Sequence, residues 1–320
     1  MKLAVDEKAL WPAEMATGST ADTEMVSTVA VTTTWRLERG RLVPAPAAER
    51  WPVLVAPGAI QDLPLQPDTD WRRTRAEVLV LGQAVAPRPV AELRIAIACG
   101  AIRHESALLG VRTWRKRLFG WAMTEPAPFT IAAIGNEMAY GGVSAVDGEP
   151  SPHPLNPVGR GYHLSTAALD GSPLPTLEHP QQRIRAWSDR PAPSLWYKPA
   201  GAALPDPLPA DPVATAVAMQ AQAFAEAPAH LGCEAPELGR ELALDGFAAS
   251  GILRFPMPER APARLRVDCG AARGAFDLAP RRVVALPQCP ALIVTYAATC
   301  RWRFRPREER RAWLEWHAHA

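Results

Sequence analysis

Along this chain the apolar positions recur mostly with period two, the spacing of a strand with one buried face. Leu93, Ile95, Ile97 and Cys99 alternate with Glu92, Arg94, Ala96 and Ala98, and Gly100 punctuates the run. Val26 to Leu37 is rich in Val and Thr, whose branched β-carbons suit a pleated surface. Glu38-Arg39-Gly40 then offers a turn into Arg41-Leu42-Val43, which predicts a hairpin. Glu77 to Gln83 reads as a mostly buried strand, and Val111 to Trp114 is placed beside the strand that ends at Cys99. The last third predicts strands at Ile252 to Phe255, Leu265 to Asp268, Arg282 to Leu286, Ala291 to Tyr296 and Arg301 to Phe304, separated by proline or glycine turns as in an antiparallel meander.

Proline interrupts nearly every other pattern. There are 34 in 320 residues, about twice the usual share of roughly 5%. Each one removes a backbone donor and obstructs the preceding turn, so long helices are not expected. Pro44 to Pro67 is read as an irregular connection, and Glu125 to Pro212 as long loops packed over a scaffold, kept ordered by the burial of Tyr162, Trp187 and Trp196. Two short helices are predicted. Asp211-Pro212 resembles a cap before alanine-rich Val213 to Glu226, and Pro306 with Glu308 and Glu309 opens a segment carrying Trp313, Leu314 and Trp316. The expected fold is mainly β, antiparallel and sandwich-like, with long ordered central loops. The expected organisation is an N-terminal segment 1–25, one domain 26–305 with β subregions 26–135 and 136–305, and a C-terminal helix in 306–320.

Hydrophobic residues make up 48% and charged residues 21%, a globular balance. Formal net charge is +2, and the arginines are interleaved with carboxylates, so no polybasic footprint for nucleic acid stands out. No apolar stretch reaches the roughly 18 residues of a spanning helix, and Asp6 and Glu7 interrupt the start. The reading is a cytoplasmic protein without membrane insertion. Cys99, Cys233, Cys269, Cys289 and Cys300 are odd in number and never spaced C-x-x-C, which argues for reduced thiols rather than a disulfide framework or a zinc ribbon.

The nucleophile-elbow, zincin, P-loop and dinucleotide-binding motifs are all absent. His104, His153, His163, His179 and His230 are isolated in sequence, and His104-Glu105 point to opposite faces of a strand, which favours a surface reading. These observations predict no catalytic residue, no cofactor and no metal. The sharper feature is Asn156-Pro157-Val158-Gly159-Arg160-Gly161-Tyr162, whose glycines free the backbone to hold Arg160 in a fixed pose. Proline-bracketed Leu174 to Pro180 presents Glu178, and a bidentate Arg160–Glu178 pair pinning two loops is the expectation. The candidate residues for a partner surface or loop clasp are Asn156, Arg160, Tyr162, Glu178, Trp196 and Glu137.

Val78-Leu79-Val80-Leu81-Gly82, Val111-Arg112-Thr113-Trp114, Glu125-Pro126-Ala127-Pro128-Phe129, Asn136-Glu137-Met138-Ala139-Tyr140-Gly141-Gly142, the Asn156 to Tyr162 segment and Leu174 to Pro180 occur in this order. Together they resemble the bacterial type VI secretion adaptor family, long catalogued as a domain of unknown function, over about 26–304. The resemblance implies a non-enzymatic chaperone that binds an effector protein and assists its loading onto the secretion spike or spike-tip protein. The chain departs from the family pattern at Met138, where the family has Arg, and at Thr176, where it has Asn. A Gly-Thr-Tyr-Asp segment is also missing after Trp196. Two alternatives stay open from the residues: a hydrolase-like site assembled from Glu137, Asp147, His153 and Glu178, and a structural component of the spike or baseplate.

Overall fold

In the computed structural model, the described residues are 1–5, 9–20, 24–60, 63–73, 75–146, 148–197, 227–234, 236–269, 272–305 and 309–317. The Val- and Thr-rich run forms one long strand, Glu24–Glu38, turning through Arg39 and Gly40, both at positive φ, into Arg41–Pro44. Its other neighbour on one side is Ala291–Arg303, paired in register from Ala291 opposite Arg36 to Arg303 opposite Glu24. The two runs predicted there, 291–296 and 301–304, are therefore one strand. Ala13–Ser19 covers the other edge, and Ala279–Leu286, Ala76–Val80 and Gly232–Cys233 complete the sheet. Ala76–Val80 and Ala279–Leu286 run parallel and the other neighbours antiparallel.

A second sheet orders Leu177–Glu178, Ile102–Leu109, Glu92–Cys99, Glu241–Asp245 and Leu253–Pro256, all antiparallel. The return strand beside Glu92–Cys99 is thus Ile102–Leu109, not Val111 to Trp114. The tight turn at Gly100, with φ 54°, sends the chain straight back, and Trp114–Arg117 instead pairs with Gly120–Met123. The last third is likewise not one meander, because its strands divide among three sheets. Ala263–Cys269 and Ala272–Asp277 join a four-stranded sheet with Lys2–Ala4 and Arg311–Trp316.

That last strand overturns the predicted C-terminal helix. In Arg311–Trp316 exposure alternates residue by residue, with Ala312 and Leu314 buried between exposed Arg311, Trp313 and Glu315. Over so short an apolar run, the pattern alone cannot separate strand from helix, and pairing with Ala263–Cys269 decides it. The segment predicted as a helix at Val213 to Glu226 lies outside the described residues. Among the described residues the helical pieces are single 3-10 turns at Ala47–Glu49, Asn136–Met138 and Ala229–Leu231. None is long and apolar enough to cross a membrane. The irregular 44–67 connection contains a short hairpin, Gly58–Ile60 with Leu63–Leu65.

The three sheets share one apolar core. Val31, Leu79 and Val294 from the first, Ile95, Ile97 and Leu244 from the second, and Leu265 and Val267 from the third are almost wholly buried in it. One charged knot crosses it. Arg282 reaches Asp68 at 2.7 Å and Glu77 at 3.2 Å, and Arg73 reaches Glu77 at 2.7 Å. Glu77 also accepts from the Ala227 N–H at 2.9 Å, and Asp68 from that of Leu54 at 2.8 Å. Burial pushes the Asp68 carboxyl above its ordinary value against the pull of Arg282. The knot fastens irregular segments to the sheet. All five cysteines are free, with Cys99, Cys269 and Cys300 buried.

Candidate functional site

The site grows from the edge of the second sheet. Ile102–Leu109 takes Leu177–Glu178 as its outer neighbour, with Ala107 opposite Glu178. Leu177 forms a parallel bridge to Ala139, and Tyr140–Gly141 runs parallel to Arg160–Gly161. Three passes of the long loops therefore lie side by side. The N–H of Thr176 donates to Met138 O at 2.9 Å, that of Arg160 to Ala139 O at 3.0 Å, and that of Tyr162 to Gly141 O at 3.0 Å. Each pairing is only one or two residues long, so side chains must hold the passes together.

Two asparagines do so. Asn156 is fully buried, and its Nδ2 donates to the carbonyls of Asn136 at 2.9 Å and Tyr140 at 3.0 Å. Asn136 in turn clamps another pass: its Oδ1 accepts from the Trp196 and Tyr197 N–H groups, and its Nδ2 donates to Tyr197 O at 2.8 Å. This satisfies backbone groups that loops this irregular leave without a ladder. The glycines of the two motifs serve the same contact. A Cβ on Gly141 would stand 2.1 Å from Asn156 O, and one on Gly159 would stand 2.4 Å from Asn156 Nδ2. Gly141 and Gly159 allow the passes to touch, and Gly161, at φ 87°, supplies the left-handed backbone directly after Arg160.

The expected Arg160–Glu178 pair is not formed. Glu178 Oε1 accepts from Arg112 Nη2, and Arg112 also donates to Pro175 O at 3.1 Å. Arg183 reaches Glu178 Oε2 at 3.2 Å. Both members of the Arg112–Glu178 pair are almost fully buried. The reason lies in the register: pairing with Ile102–Leu109 draws Glu178 into the sheet edge, whereas Arg160 stays half-exposed and gives its Nε to Glu137 O at 2.7 Å. Glu137 itself is exposed.

A small aromatic core closes the region. Trp114, Tyr140, Leu169, Leu174 and Ile184 are buried together, separate from the main core, with half-buried Tyr162 and Trp187 against them. Tyr162 meets His153 and Tyr140 edge-on at 5.0 and 6.3 Å, and the Arg190 guanidinium lies 5.8 Å over its ring. His153 Nδ1 accepts from the Leu155 and Asn156 N–H groups. Burial, with the Arg190 charge nearby, lowers the pKa of His153. Trp196 is fully buried in the main core, edge-on to His104 at 5.0 Å. His104 turns inward and takes Ser106 Oγ at 3.1 Å, while Glu105 faces solvent beside Arg94, so the surface reading suits Glu105 and fails for His104.

Of the six candidates, the structure gathers Asn156, Arg160, Tyr162 and Glu137 around the paired passes, seats Glu178 at the adjoining sheet edge and puts Trp196 beneath them. Asn136, Arg112 and Arg183 were missed as candidates. Asn136 and Arg112 stand inside the ordered motifs, which was the available signal. Of the hydrolase set, Glu178 is held by two arginines, His153 accepts backbone N–H groups, and Asp147 lies outside the described residues. Among the described residues no group of three or more His, Cys, Asp and Glu is placed to hold a metal ion.

A family model described as an uncharacterized protein conserved in bacteria (DUF2169) matches residues 22–297. The chain belongs to this family. No curated protein and no solved structure matches it. The DUF2169 match takes in every motif of the loop-built site, the whole second sheet and the first sheet from Glu24 to Ala297, while the edge strand Ala13–Ser19 of the first sheet and Lys2–Ala4 and Arg311–Trp316 of the four-stranded sheet lie outside it.

Proposed function

We propose that this DUF2169 protein is a non-enzymatic adaptor that binds a type VI secretion effector in the cytoplasm and assists its loading onto the spike. The ordered motifs that resemble the adaptor family support the reading. One observation carries it: large apolar side chains are left in solvent along the stretch of chain that carries most of the loop motifs. Val111, Leu118, Phe119, Ile131, Val143, Leu155 and Val158 are seven of the thirteen exposed large apolar residues among those described, and all lie within 111–158. The same stretch of chain is tied by buried polar contacts. Exposed apolar side chains carried on a braced stretch suit binding of another protein.

The test is deletion of the gene in the source bacterium with the secreted proteins measured. The expected result is loss of one effector from the medium while spike secretion continues, restored by the full-length chain. Unchanged effector secretion would overturn the adaptor reading. Secretion of the chain itself with the spike would favour the structural-component alternative.

A further inference from the structure

The hairpin Trp114–Arg117 and Gly120–Met123 ends in a two-residue loop, Leu118-Phe119. Such loops ordinarily carry Gly, Asn or Asp, which accept the turn geometry. Here Gly120, at φ 103°, supplies the positive φ, and the loop positions hold two large apolar side chains that are 89% and 94% exposed. Folding gains nothing from that placement.

Charges flank the tip. Some strand arginines lie against carboxylates, as Arg94 with Glu105 and Arg254 with Glu241, while exposed Arg41, Arg88, Arg301 and Arg303 stand singly on their strands without a salt bridge to a described carboxylate. Arg115, Lys116 and Arg117 are exposed, and no described carboxylate forms a salt bridge with any of them. Three adjacent cations thus border an apolar point.

The base of the hairpin is fixed. Trp114 is buried, its N–H donates to Ser172 O at 3.0 Å, and its carbonyl accepts from Gly171 N–H at 2.8 Å. The Lys116 N–H donates to Asp170 Oδ1 at 2.8 Å. The exposed Asp170 and Glu125 carboxylates stand at this base, where an anionic bilayer would meet them unfavourably. A rigid projection of defined shape fits a protein recess.

Resting on the adaptor reading, we infer that this hairpin is a docking finger, which places Leu118 and Phe119 in an apolar recess of the effector bordered by carboxylates. The aromatic tip supplies the anchor and the cations supply orientation and on-rate.

The test uses the full-length chain in the source bacterium with the photocrosslinker benzoylphenylalanine at Phe119, or at exposed Ile252 as a surface control. The expected result is one protein adduct specific to position 119, with the crosslinked peptide rich in Asp and Glu. Arg115→Glu with Arg117→Glu should lower its yield by about tenfold or more at an unchanged melting temperature. A lipid adduct, no adduct, or an adduct indifferent to charge reversal would overturn the inference. If effector secretion needs the chain but is unaffected by Leu118→Ser with Phe119→Ser, the finger falls and the adaptor reading stands. If effector secretion does not need the chain, the adaptor reading itself falls.

Discussion

The sheet body and the loop-built region reach order by different means. In the sheets, Glu24–Glu38 and Ala291–Arg303 pair over their shared length, and side chains such as Val31 and Val294 bury the face beneath them. Apart from the Arg282–Asp68–Glu77 knot, no single contact there is decisive, because the ladder and the core are spread over many residues. In the loops the pairings are one or two residues long, and order depends on single groups: the Asn156 and Asn136 amides, the Arg112–Glu178 pair, and glycines that permit contact. Extended registers distribute stability, whereas short ones concentrate it in buried polar side chains whose loss leaves partners unsatisfied.

The largest expected effect breaks this contrast at its sharpest point. Arg112→Ala takes from the Glu178 carboxylate its buried partner, leaving it only the half-buried Arg183, and should cost about 3 kcal/mol in denaturant unfolding. The double change with Glu178→Ala should cost less than the sum of the single changes, because the two are coupled. Asn156→Ala should follow at about 2–4 kcal/mol, since it removes donors to two buried carbonyls. Leu79→Ala in the sheet should cost a similar amount, about 2–5 kcal/mol. Hydrogen exchange separates the two: Asn156→Ala should speed exchange within 136–178, and Leu79→Ala throughout the sheets.

The seam between the regions should respond to acid. The His104 imidazole sits against Trp196 and His230, and burial, with the neighbouring His230 and His179, lowers its pKa from 6.5 to about 3. The unfolded chain therefore takes up a proton that the folded chain refuses. The contribution is complete above pH 6.5 and is lost as the pH falls toward 3, at up to about 1.4 kcal/mol per pH unit. His104→Gln should flatten this limb of the melting temperature against pH profile. The smallest effect belongs to Arg160→Ala, at about 0.5–1.5 kcal/mol for one partly exposed hydrogen bond. Combined with Glu178→Ala it should be additive.

Much of the sheet body was legible in the chain. Alternation marked 92–99, and branched residues with a Gly turn marked the hairpin around Gly40, because period and turn chemistry are local properties. The division of the last third among three sheets was not legible, since which strands pair is decided by distant segments. Trp313, Leu314 and Trp316 suited helix and strand alike until Ala263–Cys269 stood beside them. In the loops the motifs marked the right segments, but the pairings inside them were misread. Arg160 and Glu178 were matched by charge, whereas burial of Glu178 at a sheet edge selected Arg112, a partner far off in sequence.

The central claim is that the irregular loops form a frame as firm as the sheets, and native-state hydrogen exchange of the unmodified protein tests it most directly. The amides of Gly142, Arg160, Tyr162, Leu174 and Thr176, each bonded to a carbonyl in another pass of chain, should be protected to within about tenfold of Thr295 and Val294 in the sheet. Exchange of those five amides at rates near those of an unfolded chain, with the sheet amides still protected, would contradict the account.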